Sequence, residues 1–180
     1  MTDLELAELL ACTRCDLAAT RQRVVVGSGP RPPKIVVVGE APGRQEDEGG
    51  EPFVGRSGQL LFRLLGEVGL AREDCFVTNV VKCRPPANRA PRPREIAACA
   101  PWFALQMAEM GAAPLLALGA TAARSTLGAT RGIGVIHGRV VERDGRVGLA
   151  TYHPAAALRG GDRVLSVMRE DLAILRGLVA

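Results

Sequence analysis

Four of the five cysteines form two pairs whose spacing could bind a metal. Two residues separate Cys12 from Cys15, so their thiolates can reach a single centre from one turn of chain. Fifteen residues separate Cys83 from Cys99, and Cys99 falls on a predicted helix. Four thiolates suit zinc or an iron–sulfur cluster, and spacing alone does not distinguish the two. The alternative for the second pair is that both thiols are merely buried apolar groups.

A stiff basic segment lies between the cysteines of the second pair. From Lys82 to Arg94 the chain has five basic residues and no acidic one, among four prolines. Such a segment can follow a phosphate backbone without first folding. A structural metal would pin the N-terminal helix to this segment, so removing the metal is expected to disorder the segment and weaken DNA binding. Cys75, just before a predicted strand, is assigned to the core.

The loop from Gly39 to Gly55 combines glycine, proline and acidic residues and follows a predicted strand. It lacks the Gly-Lys-Ser/Thr ending and the G-x-G-x-x-G order of phosphate loops, and it carries acids where a phosphate needs positive charge. A nucleoside triphosphate site is therefore a poor fit. Phe53 lies in this loop, in a chain with only 3% aromatic residues, and is a candidate platform for stacking a flat ligand. The alternative is a plug over the core.

Asn79 and His153 also fall at the ends of predicted strands. The amide of Asn79 can accept a hydrogen bond from uracil N3–H and donate one to O4, whereas cytosine presents the opposite pattern. A neutral imidazole at His153 could donate to uracil O2 and stabilise the base as it leaves with negative charge. Taken singly, Asn79 is equally a turn former and a lone histidine is usually structural. His137, in a glycine-rich turn, is less well placed.

Alternating strands and helices must position these side chains. Strands are predicted at 34–38, 76–81 and 115–118, with a hairpin at 139–151. Helices are predicted at 3–11 with Thr2 as the cap, after a cap at Ser57, and at 93–110, 120–127 and 163–179. This order predicts a three-layer αβα single domain over residues 1–180, with a mostly parallel four-stranded sheet. Ligands of such sheets bind beyond the carboxyl ends of the strands, where Gly39-Glu40, Asn79 and His153 fall.

Composition sets broad limits on class. The chain has 180 residues, 47% of them hydrophobic, which suits one globular domain. No apolar run approaches the ~20 residues that cross a bilayer, and the N-terminus lacks the features of a signal peptide, so a cytoplasmic monomer without a membrane partner is expected. The net charge of +4 is compatible with a nucleic-acid partner.

Several separated motifs, in order, resemble the family 4 uracil-DNA glycosylases. The resemblance covers Cys12 to about Arg159, and its motifs are Gly39-Glu40-Ala41-Pro42-Gly43-x-x-Glu46-Asp47, Pro52-Phe53-Val54-Gly55, Thr78-Asn79-Val80-Val81-Lys82-Cys83-Arg84-Pro85-Pro86 and His153-Pro154. The four cysteines fall where that family holds a [4Fe–4S] cluster, which makes zinc the alternative. The resemblance implies excision of uracil from single- or double-stranded DNA by hydrolysis, which leaves an abasic site.

The resemblance also implies roles for individual residues. Uracil would contact the backbone of Gly39 to Ala41, stack on Phe53 and hydrogen-bond to Asn79 and His153. Glu40 would lie near uracil C5 and exclude the thymine methyl group. Ala41 stands where classical uracil glycosylases have a water-orienting aspartate, so Glu46, ahead of Asp47, is the candidate to orient water. The candidate DNA contacts are Lys82, Arg84, Arg89, Leu158 and Arg159.

The segment from His153 to Arg159 resembles the loop that wedges into the duplex as the base leaves, although here it is rich in alanine. A related branch traps the sugar through a histidine in a basic loop; residues 85–94 contain none, so turnover is expected. Two rivals are a zinc-stabilised nucleic-acid-binding module without activity and a cluster protein for electron transfer or redox sensing. Neither needs Phe53, Asn79 and His153 at strand ends. Activity on hypoxanthine or xanthine, strand preference and a sliding clamp as partner stay open.

Overall fold

A computed structural model of the protein describes residues 1–179 and shows a single five-stranded sheet in the order β2-β1-β3-β5-β4. Strands β2, β1, β3 and β5 run parallel, and β4 pairs antiparallel with β5 at the edge. The strands are β1 (Ile35–Gly39), β2 (Cys75–Asn79), β3 (Leu115–Leu118), β4 (Val140–Arg143) and β5 (Arg146–Thr151).

The central strands are buried on both faces, as their nearly continuous apolar sequences require. Every residue of β1, β2 and β3 is buried. Successive side chains of a strand point to opposite faces, so Val36 and Val38 contact one apolar cluster while Ile35 and Val37 contact the other. Two cores therefore lie on either side of the sheet.

Eight α-helices flank the sheet within residues 1–179. One face packs against residues of the N-terminal helix and of the helices after β2 and β3; the other packs against the long helix before β2 and the two C-terminal helices. The helices are α1 (Asp3–Leu10), α2 (Arg44–Gly49), α3 (Arg56–Glu67), α4 (Pro93–Glu109), α5 (Gly119–Leu127), α6 (Ile133–Ile136), α7 (Pro154–Gly160) and α8 (Asp162–Arg176).

The three-layer α/β architecture is confirmed, with one correction to the sheet. Five strands are present where four were predicted, because the first arm of the 139–151 hairpin pairs with the second and extends the sheet. Thr2 caps α1 as predicted, in a reciprocal arrangement with Glu5. Ser57 is not a cap: Gly55 precedes the first turn of α3, and Ser57 lies inside the helix.

The segment after His153 differs from the expected loop. Pro154 starts α7, where its fixed φ and missing N–H are tolerated, and the helix continues to Gly160. Leu158 and Arg159 are therefore presented from a helix. Among residues 1–179, no helix is both long enough and apolar enough to cross a membrane.

Candidate active site

A cavity of about 450 Å³ opens at the carboxyl edge of the parallel strands. Gly39 and Asn79 are paired at the ends of β1 and β2, Leu118 ends β3, and His153 follows β5 by two residues. Asn79, Leu118 and His153 line the cavity, and Gly39 lies against two lining residues, Asn79 and Phe53. The edge at which parallel strands end is where ligands of open α/β sheets bind, because loops and helix starts converge there.

Asn79 provides a polar group at the floor of the cavity. Its side chain is only 1% exposed. Within residues 1–179 the buried Oδ1 atom has no hydrogen-bond partner. An unpaired buried acceptor costs roughly 1–3 kcal/mol, so a ligand that donates a hydrogen bond to it is strongly favoured. The cavity is therefore built to receive an N–H donor at this position.

Gly39 leaves room for a flat ligand beside this amide. A Cβ atom at Gly39 would lie 2.3 Å from Asn79 Oδ1 and 2.6 Å from Phe53 Cζ. Both distances are shorter than any normal contact, so the absence of a side chain lets the amide and the ring approach the strand end together.

Phe53 is held over the cavity by a strained backbone. Its φ is 55°, in the left-handed region that a bulky residue rarely adopts, and its side chain is 7% exposed. Gly58 in α3 allows the main chain of Phe53 to approach the helix closely. A Cβ on residue 58 would lie 1.7 Å from the main-chain carbonyl oxygen of Phe53. Strain of this kind concentrates at ligand-binding positions, in agreement with a stacking role, and Phe53 also packs in the apolar cluster that contains Ile35 and Val37.

His153 is neutral and its tautomer is defined by its contacts. The main-chain N–H of Ala155 donates to His153 Nδ1 at 3.1 Å, which leaves the proton on Nε2. Burial, reinforced by the positive charge of Arg159, lowers the pKa of His153 to about 4. The ring centroid lies 5.9 Å from that of Phe53. The side chain thus supplies a neutral N–H donor across the cavity from the amide.

Two glutamates line the same cavity. Thr121 on α5 donates to Glu40 Oε2 at 2.5 Å, which fixes that carboxylate. Glu46 on α2 accepts a hydrogen bond from the main-chain N–H of Gly55 at 2.9 Å, so it also bridges α2 to the start of α3.

Asp47 lies outside the cavity lining, which corrects its assignment as a water-orienting candidate. It is 1% exposed and accepts from the main-chain N–H groups of Gln22 and Arg23 at 3.0 and 3.3 Å. A buried carboxylate that is satisfied by backbone donors anchors a neighbouring segment and does not reach a substrate.

Lys82 was predicted to contact DNA phosphates, and this prediction is wrong. The side chain is fully buried beneath β2, with no exposed surface. Arg89 is 30% exposed and its guanidinium is bound by both nitrogens to buried Glu95, at 2.8 and 2.6 Å. The pKa of Glu95 falls to about 2 because Arg89 donates to its carboxylate. Arg89 therefore braces the basic segment at the cavity rim, and its contact with DNA phosphates stays a prediction.

The remaining predicted DNA contacts lie at the surface. Arg84 donates to the side-chain oxygen of Asn88 at 2.7 Å. Arg159 is exposed and borders the cavity, and Leu158 on the same helix is 44% exposed. Both α7 and the basic segment therefore contribute residues that border the same cavity.

A second, small cavity is bordered by all four paired cysteines, together with Arg21 and Trp102. Trp102 Nε1 donates toward Cys12 Sγ at 3.4 Å, and Arg21 Nη1 toward Cys83 Sγ at 3.5 Å. Four thiols with N–H donors directed at sulfur fit an iron–sulfur cluster, whose sulfurs are stabilised by such donors. Within residues 1–179 no three Cys, His, Asp or Glu side chains are grouped around one metal-ion position.

Cys75 is a matched control for these thiols. It is fully buried, donates to the carbonyl oxygen of Ala71 at 3.2 Å and lies outside the cysteine cavity, as predicted for a core residue. Its pKa rises to about 12, mainly because of burial. The thiol form is therefore the stable one at this position.

Metal binding should distinguish Cys12 from Cys75. Cys12→Ala is expected to lose visible absorption and bound iron, because an S4 set missing one thiolate holds a cluster poorly. Cys75→Ala should retain both, at a cost of about 1–2 kcal/mol in unfolding free energy for the truncated core side chain. Iron and zinc analysis of freshly purified protein provides the measurement. Equal metal content in the two variants, or zinc in place of iron, would contradict the assignment.

Sequence reasoning missed part of the cavity wall. Pro85 and Asn88 line it from the basic segment, where Ala87 and Asn88 have φ values of 54° and 53°. Ser57 also lines it, although it was predicted as a helix cap. Gly119 and Ala120, which follow β3, also line the cavity. They could have been predicted as part of the site, since the carboxyl ends of all parallel strands lie at this edge.

Residues 26–173 match the model of the uracil DNA glycosylase superfamily. A type-4 uracil-DNA glycosylase of Thermotoga maritima is 43% identical over 164 residues, which cover 89% of this chain and 85% of the relative. One from Archaeoglobus fulgidus is 43% identical over 159 residues, 84% and 80% of the two chains. A type-5 uracil-DNA glycosylase of Pyrobaculum aerophilum is 34% identical over 140 residues, 68% of this chain. The chain therefore belongs to the uracil-DNA glycosylase superfamily and, within it, to the type-4 uracil-DNA glycosylases.

Proposed function

We propose that this chain excises uracil from DNA by hydrolysing the N-glycosidic bond of a flipped-out deoxyuridine, which leaves an abasic site. One observation carries this proposal beyond family membership. The buried Oδ1 of Asn79 has no hydrogen-bond partner in the part of the chain that the structure describes, and Asn79 lines a cavity together with a strained Phe53 and a neutral His153. An acceptor, a flat apolar face and a neutral donor together match the N3–H, the ring and the O2 of uracil.

Recognition of the base follows from these three side chains. Phe53 stacks on the pyrimidine, which contributes ~1–3 kcal/mol toward the cost of unstacking it from the duplex. Asn79 accepts from N3–H and its amide N–H donates to O4. Cytosine presents an acceptor at N3 and a donor at C4, so both contacts would become unfavourable and buried groups would stay unpaired.

Rejection of thymine is assigned to Glu40. Its carboxylate lines the cavity and is fixed by the hydroxyl of Thr121 on α5. In the proposed complex the carboxylate lies beside uracil C5, where the methyl group of thymine would displace it from that hydrogen bond. A held side chain excludes a methyl group better than a mobile one because it cannot move aside without losing its partner.

In the chemical step the bond between sugar and base breaks heterolytically, so that charge develops on both groups. As the glycosidic bond breaks, its electron pair goes to the base and the sugar develops oxocarbenium character. The Nε2–H of His153 donates to O2 of the departing uracil and stabilises its negative charge. Water then adds to the sugar carbon, with Glu46 as the proposed group that orients it and accepts its proton.

DNA would reach the cavity along the surfaces that border it. Arg159 on α7 is exposed and borders the cavity, and Leu158 on the same helix is exposed. Arg84 belongs to the basic segment, which borders the cavity through Pro85 and Asn88. We assign the arginines to phosphate contacts and Leu158 to the space that the base vacates. Uracil-containing DNA is the proposed substrate, and action as a monomer in the cytoplasm, with a sliding clamp as candidate partner, stays a prediction.

The four paired cysteines are proposed to hold a [4Fe–4S] cluster with a structural role. When bound, it would fix the two ends of the basic segment, at Cys83 and Cys99, to the N-terminal residues Cys12 and Cys15. Arg21 and Trp102 would stabilise its sulfur ligands through N–H donation.

Substitution of Gly39 by alanine tests the shape of the base pocket. The new methyl group would overlap Asn79 Oδ1 and the Phe53 ring, so kcat/KM for uracil release should fall by about tenfold to 10²-fold, as overpacking by one methyl commonly costs ~1–3 kcal/mol. Gly66→Ala in α3 is the control, because within residues 1–179 no atom beyond the neighbouring helix backbone lies within 4 Å of its added Cβ. If both variants excise uracil equally well, the pocket lies elsewhere.

An excision assay tests the proposed function directly. Oligonucleotides that contain one uracil, thymine or hypoxanthine, in single strands and opposite guanine, are incubated with the protein and then cleaved at abasic sites. Cleavage at uracil and not at thymine is the expected result. A zinc-stabilised binding module predicts binding without base release, so DNA binding accompanied by an intact uracil strand would overturn the proposal.

A further inference from the structure

Lys82 is buried directly beneath the residue assigned to base recognition. Its Nζ donates to the main-chain oxygen of Asn79 at 2.7 Å, to Thr78 Oγ1 at 2.6 Å and to Gln106 Oε1 at 2.5 Å. The side chain has no exposed surface and lies 5.2 Å from the ring centroid of Phe103. Neither solvent nor DNA reaches this ammonium group.

The geometry of this contact suits lysine in particular. A protonated amine has three donors on a tetrahedral nitrogen, and here three acceptors surround it. A planar guanidinium could not direct its N–H groups at the same three atoms. The chain has 21 arginines and two lysines, so lysine is rare at its basic positions. Lys34, the other lysine, is largely exposed.

We propose that Lys82 is a positioning residue for uracil recognition: its ammonium group holds the end of β2 so that the amide of Asn79 faces the base. This inference rests on the proposed function of the site. Among the described residues 1–179, nothing hydrogen-bonds to Asn79 Oδ1, so the orientation of this amide depends on its main chain and on packing. Lys82 binds the main-chain oxygen of Asn79, and Gln106 ties the ammonium group to α4 and, through Nε2, to the carbonyl oxygen of Val26.

The same residue connects the cysteine cavity to the base pocket. Lys82 borders the cysteine cavity, which Cys83 and Cys99 also border, and it directly precedes Cys83 in the chain. Its side chain reaches the strand end from there. A displacement of the cysteine segments would thus reach Asn79 through a single side chain.

A double-mutant cycle tests the proposal. Lys82→Met keeps the length and removes all three donors, and kcat/KM for uracil release should fall on the order of tenfold, as coupled neighbours show. Asn79→Leu alone should lower it further. In the Asn79→Leu background, Lys82→Met should have no additional effect, because the group it positions is gone. Lys34→Met is the control and should leave the rate unchanged.

The outcomes separate a positioning role from general stabilisation. Equal losses from Lys82→Met in both backgrounds, or loss of bound metal in the single variant, would overturn the proposal. If Lys82→Met does not fold, Gln106→Met replaces it: this variant removes one of the three acceptors and should show the same loss of effect in the Asn79→Leu background. Failure of the proposed function has a different signature, since the parent chain would then release no uracil.

Discussion

Replacing His153 by asparagine should lower kcat for uracil release about 10²-fold, as expected when one preorganised donor that contributes ~3 kcal/mol to the transition state is lost. The Nε2–H donates to an oxygen whose negative charge grows only as the bond breaks. DNA affinity should therefore change little. Single-turnover rates and equilibrium binding to a duplex with a non-cleavable deoxyuridine analogue measure the two effects separately.

Asparagine is chosen because His153 also caps α7. Its Nδ1 accepts from Ala155 N–H, so alanine would remove a cap worth about 1 kcal/mol together with the donor. Asparagine is a strong capping residue, so the variant keeps the helix cap and loses only the imidazole donor. His137→Asn is the control: His137 pairs with buried Asp171 at 3.1 Å, outside the cavity, and should excise uracil at the parent rate. Parent activity in the His153 variant would refute the assigned role.

The pH dependence gives an independent test of the neutral imidazole. Because burial lowers the pKa of His153 to about 4, the ring is uncharged at pH 5 and above. The rate of the chemical step should then stay level from pH 6 to pH 8. If the charged ring were the catalyst, the rate would fall about tenfold per pH unit above the pKa of His153. A decline of this kind in the parent protein that is not seen in His153→Asn would rule out the neutral form.

The strand ends could be predicted because burial on both faces leaves a simple sequence pattern. Val36 to Val38 and Leu115 to Leu118 are continuous apolar runs, and no other element accommodates them so well. Once the sheet is parallel, the positions of Gly39, Asn79 and His153 at one edge follow from topology. Phe53 could be associated with them only through its rarity and its neighbours, since its left-handed backbone has no signature in the sequence.

The basic pattern assigned Lys82 to a DNA contact, and the family resemblance put Asp47 forward as a candidate to orient water. Both residues occur in stretches that are polar in sequence, yet both are buried with hydrogen-bond partners. Each has a hydrogen-bond partner that is distant in the sequence: Gln106 is 24 residues from Lys82, and Gln22 is 25 residues from Asp47. A sequence pattern within a short window cannot reveal contacts over such separations. A buried, hydrogen-bonded charge is therefore mistaken for a charge exposed to solvent.

Replacing Asn79 by aspartate should lower kcat/KM for uracil by about 10²-fold or more, since an unpaired buried group costs ~1–3 kcal/mol and a charged one more. A carboxylate still accepts from N3–H but has no donor for O4, and its charge repels that oxygen. The side chain is 1% exposed, so solvent cannot screen this repulsion. Excision from oligonucleotides with uracil or cytosine at the same position measures both effects.

Cytosine is the informative substrate for this variant. A protonated aspartate donates to cytosine N3 and accepts from its amino group, so slow release of cytosine should appear in Asn79→Asp and increase as pH falls. Asn79→Leu, which has no polar atoms, should lose uracil excision without gaining cytosine release. Both variants place a side chain of similar size against Gly39 and Phe53, so only hydrogen bonding distinguishes them. If the two variants behave alike toward cytosine, another group forms the hydrogen bonds that distinguish uracil from cytosine, and Asn79 only fills space in the pocket.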